Sequence, residues 1–213
     1  DPYTRLSVSG SVLAMIKDGQ PVVKAYPNDK VEILLPETCF YIESGGQVSD
    51  TGLIRSAEQG KWKIKINDVV KPAAGVIIHI GEVIEGSPEI NESAKAEVDA
   101  LRRIDIMRNH TATHLLHAEL HKVLGEHARQ AGSLVAPDRL RFDFNHPKPI
   151  TQTELLEIEK LVNKAILSNY RLNIAIKPLQ QAINEGAMAL FGEKYSSTVR
   201  TITIGEDEGL SYE

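Results

Sequence analysis

The stretch "RNHTATHLLH", from Arg108 to His117, sets histidines at positions 110, 114 and 117, and His121 follows. On a helix each residue advances about 100°, so residues four and seven apart share a face. His110 and His114 form an i,i+4 pair, and His117 and His121 continue the stripe. Two imidazoles at this spacing supply half of a tetrahedral zinc shell without backbone strain. Spacing alone does not choose which two would bind, and it supplies no further ligands. The residues between the first pair are Thr-Ala-Thr, so the H-E-x-x-H pattern of a zinc protease is absent. A polar helix face with solvated histidines is the competing reading. Against it, four of the chain's seven histidines fall between positions 110 and 121.

A second stretch with chemical potential is "ESGGQVSDTG", between two strand-like runs. Gly45-Gly46 permits either a close backbone approach to a ligand or positive φ. Gln47 brings an amide that both donates and accepts, suited to holding a water or a carbonyl. On the pattern alone, a glycine bend at the corner of a β-barrel is the better explanation. The single cysteine, Cys39, excludes an internal disulfide and fits a reducing, cytoplasmic setting. Its expected role is that of a small buried apolar residue.

The elements that must carry these residues fall into two blocks. Residues 1–90 read as a small β-barrel subdomain containing the Gly-Gly-Gln loop. "SVSGSVLAMIKDGQPVVKAY" is strand, Asp18-Gly19 turn and strand, followed by "DKVEILL" and the cleanly alternating "GKWKIKI". Residues 91–213 read as an α+β subdomain with an antiparallel sheet and packed helices. From Asn91 through Gly125 the pattern is helical, with Asn109 available to cap a new helix at His110. "SLVAPDRLRFDF" reads as strand, Pro-Asp turn and strand. Thr151 and Glu154 form a capping box that opens a helix to about Ser168. "LNIAIKPL" and "TVRTITIG" are strands around a shorter helix in "QQAINEGAMALFG". The fold class is α+β.

Composition is that of an ordinary globular protein: 213 residues, 42% hydrophobic and 25% charged, without an apolar run long enough for a membrane span. The net charge is −5. A stand-alone nucleic-acid binder usually carries a basic excess, so any such role needs a local basic patch or help from other domains. The chain begins at Asp1-Pro2 without methionine and stops after a strand-like run, which suggests a fragment of a longer protein.

Four stretches together resemble the editing domain of alanyl-tRNA synthetase: "FYIESGGQVSDTG" (40–52), "RNHTATHLLH" (108–117), "RQAGSLVAPDRLRFDF" (129–144) and "GAMALFGEKY" (186–195). Freestanding alanyl-tRNA editing proteins share the first two elements. The resemblance implies a deacylase that hydrolyses seryl- or glycyl-tRNA(Ala), within a parent that attaches alanine to tRNA(Ala) using ATP. An alanine pocket cannot strongly reject glycine or an added hydroxyl, so a second, hydrolytic sieve is required. It also implies zinc, held by His110, His114 and a downstream C-x-x-x-H that this sequence does not include, so the site is expected to be incomplete here. Gln47 and Thr111 take the catalytic positions. Arg129, Gln130, Arg139 and Arg141 are candidates for contact with the tRNA acceptor end. The other domains of the parent synthetase are further partners, and ATP belongs only to the aminoacylation part. A freestanding editing deacylase, a non-catalytic tRNA-binding module and a metal-dependent hydrolase of small molecules are the alternatives.

Overall fold

Alternating hydrophobicity makes the first hundred residues a sheet. The computed structural model describes residues 3–187, 196–205 and 211–212. It divides into two compact units, Asp1–Ile106 and Met107–Glu213.

In the first unit, β1 (Ser7–Ser11), β2 (Ala14–Lys17), β3 (Gln20–Val22), β4 (Lys30–Leu34), β5 (Gly52–Ser56), β6 (Trp62–Ala73), β7 (Val76–Gly86) and β8 (Ser93–Val98) form one antiparallel sheet. Its order is β1-β8-β5-β6-β7-β4-β2-β3. The β2–β3 turn uses Asp18 and Gly19 at φ 51° and 73°, the left-handed pair that a two-residue hairpin requires. Pro21 is tolerated because β3 is an edge strand. β6 shows the two-residue period most plainly. Trp62, Ile64 and Ile66 are buried at 1% exposure or less, whereas Lys63 faces out and pairs with Glu85 at 2.5 Å. Met15, Ile33, Ile54 and Phe40 complete the same core.

The expected closed barrel is not present. The sheet is open, with β1 and β3 at its edges. Its curl comes from the chain between β1 and β2. Val12 N donates to Glu92 O at 3.0 Å and the next residue, Leu13, donates to Leu34 O at 2.9 Å. Consecutive residues thus bond toward opposite ends of the sheet order. The two-residue connection Val12-Leu13 therefore links β1, at one edge of the order, to β2, next to the other edge, without a closing ladder.

The helical pattern expected from Asn91 is also corrected. Residues 93–98 are β8, between β1 and β5, with Ala94, Ala96 and Val98 buried and Lys95 and Glu97 pointing away. Alanine is a good helix former, and two alanines masked a two-residue period; pairing on both edges overrode the propensity. The unit boundary accordingly lies after Ile106 rather than at 90/91. Gly52 opposes Val98 in this ladder, and a Cβ there would sit 2.1 Å from Glu97 O, so only glycine lets the two backbones meet.

Helix α1 (Ala100–Leu124) starts at Asp99, whose carboxylate accepts Arg102 N at 3.0 Å. With neither glycine nor proline inside, it runs unbroken to Gly125 at φ 103°. Asn109 is therefore not a cap. Its amide donates instead to Ala136 O at 2.7 Å and Pro137 O at 3.2 Å, tying the helix to the turn of a hairpin. That hairpin is β9 (Gln130–Val135) and β10 (Leu140–Phe144), as expected. α2 (Gln152–Ser168) opens with the expected Thr151/Glu154 capping box. β11 (Leu172–Pro178), α3 (Leu179–Asn184), β12 (Thr198–Ile204) and β13 (Ser211–Tyr212) follow. The second unit thus has two antiparallel sheets rather than one among its described residues, β9–β10 and β11-β12-β13. Leu115, Ala165 and Ile204 form its small core.

Candidate functional site

Gln47 sits beside the turn of a hairpin within the loop joining β4 to β5. Ser44 N donates to Gln47 O at 3.3 Å and Gln47 N returns to Ser44 O at 3.0 Å. Gly45 and Gly46 lie between them at φ 57° and 78°. Both left-handed values make this a tight two-residue turn, and they answer the question of why two glycines are needed. A Cβ at Gly45 would meet nothing within 4 Å, so conformation rather than space demands glycine there. Gln47 itself is only 5% exposed.

The base of this hairpin is held by residues that the sequence reading did not single out. Asp50 N donates to Tyr41 O at 3.0 Å, and Tyr41 N donates to an Asp50 carboxylate oxygen at 2.6 Å. Arg103, in the first turns of α1, grips the same carboxylate through Nε at 2.8 Å and through Nη2. Its Nη2 also donates to Cys39 O at 3.2 Å. Asp50 is 1% exposed and Arg103 6%. Next to them, Arg102 Nη1 donates to Ser49 O at 2.8 Å, and Ser49 Oγ donates to Asp68 at 2.6 Å. One signal in the sequence could have found this network. Two arginines stand in the first turn of α1, where the helix dipole disfavours cations; no acid lies within that turn, and Asp99 just ahead of it is engaged in capping the Arg102 backbone N–H. Cations so placed imply partners outside the helix.

Cys39 is fully buried, as expected, with its thiol toward Ala96 O at 3.7 Å. Burial pushes its pKa up, the direction of an inert thiol.

In the second unit, α1 presents two histidine pairs. The rings of His110 and His114 are half-buried and stacked, with centroids 4.9 Å apart and planes 21° apart. The rings of His117 and His121 stand edge to face at 4.4 Å. His117 is 4% exposed and packs on Phe142 of β10 at 5.0 Å. Burial, then the proximity of His117, lowers the pKa of His121. The two pairs therefore differ in kind, since His117 is packed into protein and the His110–His114 pair is the more open. No group of three or more His, Cys, Asp or Glu among the described residues is arranged to hold a metal ion.

Thr111 directs its hydroxyl along its own helix to Met107 O at 3.0 Å, so that proton is already engaged. A lone pair remains to accept a bond. Of the arginines, Arg129 is exposed, with Nε toward Glu126 O at 3.4 Å. Arg139 pairs with Asp138 at 2.8 Å and Arg141 with Asp143 at 3.1 Å, both on the β9–β10 hairpin. Such exposed pairs are weak and readily exchanged for a phosphate. Gln130 opens β9 and donates to Ser133 Oγ at 3.2 Å. The segment "GAMALFGEKY" lies outside the described residues from position 188 onward. No helix among the described residues is long and apolar enough to cross a membrane.

Residues 2–102 match the family model described as tRNA synthetases class II (A). Over 203 residues, 95% of this chain, it is 50% identical to an alanine–tRNA ligase of Roseiflexus castenholzii and spans 22% of that protein. An alanine–tRNA ligase of Chloroflexus aurantiacus is 46% identical over 209 residues, 98% of this chain and 23% of the relative. One of Desulforamulus reducens is 46% identical over 204 residues, 96% of this chain and 23% of the relative. The chain thus spans less than a quarter of the length of the curated relatives it matches. It is related, over nearly all of its own length, to one segment of an aminoacyl-tRNA synthetase.

Proposed function

We propose that this segment is the editing part of an alanyl-tRNA synthetase, and that it hydrolyses the ester linking serine or glycine to tRNA(Ala). The observation that carries the reading is the stacked His110–His114 pair, half-buried on one face of α1. The similarity to alanine–tRNA ligases makes an aminoacyl-tRNA the natural substrate class. In the proposed reaction, water adds to the ester carbonyl, the bond to the terminal ribose oxygen breaks, and that oxygen takes the proton. Gln47 contributes a rigid amide that accepts from the attacking water or donates to the carbonyl. Rigidity matters because a donor set in advance costs no reorganisation in the transition state.

His110 and His114 would hold zinc: they stand one helical turn apart with ring centroids 4.9 Å apart, and histidines at this i,i+4 spacing can serve one tetrahedral ion. Bound zinc supplies a Lewis acid that orients the amino acid or acidifies water. The pair needs further ligands to complete the shell, and the described residues do not provide them. Arg129, Gln130, Arg139 and Arg141 would meet phosphates of the acceptor end. The parent protein would join alanine to tRNA(Ala) with ATP, in the cytoplasm.

The test uses the full-length protein with seryl-, glycyl- and alanyl-tRNA(Ala). Release of serine and glycine, slowed about 10- to 1000-fold by Gln47→Ala without loss of stability, is expected. Binding of all three without release of any amino acid would replace the deacylase with a tRNA-binding module.

A further inference from the structure

We propose that Arg103 and Asp50 form a positioning pair that fixes the orientation of Gln47, resting on the reading of Gln47 as a site residue. The segment from Tyr41 to Asp50 is closed at two levels. Ser44 and Gln47 close it at the turn, and Tyr41 and Asp50 close it at the base. The base is where Arg103 acts. Its guanidinium bonds Asp50 on one stem and Cys39 O, just ahead of the other. The stems therefore cannot slide past each other without breaking charged hydrogen bonds in a dry environment. Arg102 adds a second hold on the same stem through Ser49 O.

The choice of an ion pair here calls for explanation. A buried ion pair is often no more stabilising than apolar residues of the same volume, because both charges must be stripped of water. Arg103 also lies near the positive end of its own helix, which adds to the cost. What arginine supplies is direction. Its planar fork meets a carboxylate in one orientation, and Asp50 accepts from Arg103 Nε, Arg103 Nη2 and Tyr41 N together. The pair specifies where the hairpin stands, and Gln47 is three residues from Asp50 on that hairpin.

Two variants of the full-length protein test this. Arg103→Lys keeps the charge and loses the fork. Asp50→Leu with Arg103→Met removes both charges and leaves neither unpaired. Hydrogen exchange at the Ser44 and Gln47 amides reports the hairpin, and exchange at Val83, whose amide donates to Asp29 O at 2.9 Å, and at Ile64, between β5 and β7 in the ladder, reports the sheet. In the double variant the hairpin amides are expected to exchange at least about 10-fold faster while the sheet is unchanged. The kcat for seryl-tRNA(Ala) hydrolysis should fall about 10- to 100-fold with KM within about threefold, as a misplaced group affects the chemical step. Arg103→Lys should recover part of both effects. Hairpin amides that stay protected would overturn the proposal. So would loosening of sheet and hairpin together in both variants, which would make the pair a support of the fold. A wild-type protein with a protected hairpin that hydrolyses no ester would refute the deacylase reading, and exchange alone would then decide the role of the pair.

Discussion

Acidification should loosen the first unit through one buried histidine, His79 on β7. The residue is fully buried and its ring packs edge to face on Phe40 at 5.3 Å. Nδ1 lies 3.2 Å from Ile33 O, and a carbonyl only accepts, so Nδ1 carries the proton. Nε2 lies 2.8 Å from Thr38 Oγ1, which itself accepts from Phe40 N at 3.0 Å. The Thr38 hydroxyl is thus free to donate to Nε2, and the neutral ring is satisfied at both nitrogens. Burial lowers its pKa to about 4, with the Ile33 carbonyl opposing the shift. An unfolded histidine titrates near 6.5. The folded state therefore binds the proton less readily than the unfolded state. Stability is full above about pH 6.5 and is lost as pH falls toward 4. Linkage across that interval gives a loss of about 2.5 kcal/mol at pH 4.5 and about 3 kcal/mol at the limit. Urea unfolding followed by fluorescence of Trp62, the chain's only tryptophan, measures it directly at pH 7 and pH 4.5. His79→Gln serves as the reference, and other titrating groups cancel in the comparison. The variant should be less stable at pH 7, yet it should lose about 2.5 kcal/mol less than wild type on acidification. Equal losses in the two proteins would mean that His79 protonates as easily folded as unfolded, and the argument from its burial would be wrong.

Zinc content of the full-length protein should be abolished by His114→Ala and retained by His121→Ala, because His117 packs on Phe142 of β10 and His121 packs on His117. Elemental analysis showing the reverse would move the proposed metal to the second pair. Gly45→Ala should cost about 1 kcal/mol through left-handed backbone strain alone, as its added methyl meets no atom. A larger cost in thermal unfolding would indicate that the hairpin rearranges.

How much of this was legible in the residues depends on range. Local signals survived: the Asp18-Gly19 turn, the capping box at Thr151 and the β9–β10 hairpin are each decided by a few neighbouring residues. Segments whose fate depends on distant partners did not. "SAKAEV" read as helix because its alternation uses alanine, and only pairing with β1 and β5 makes it a strand. Barrel closure failed for a related reason. Turn signals count strands but cannot show whether the first meets the last, and here the short Val12-Leu13 connection bonds toward both ends of the sheet order instead. Asn109 has a cap's chemistry, yet the hairpin turn at Ala136 and Pro137 claimed its amide.

The candidate site follows the same division. Side chains proposed to face a ligand, the histidines and Gln47, stand out by type. Those that hold them in place look like ordinary charges until a partner is found. Arg103 and Asp50 stand 53 residues apart, and neither is unusual alone. What sets Arg103 apart is a mismatch between local and global preference: a cation in the first turn of a helix, with no acid inside that turn and Asp99 ahead of it engaged as the cap. Where a residue is disfavoured by its own element, its stabilisation must come from another. Applied to α1, that rule leads from a pair of arginines to the carboxylate beneath the Gly45–Gly46 turn, and so to the residues that decide how still Gln47 is held.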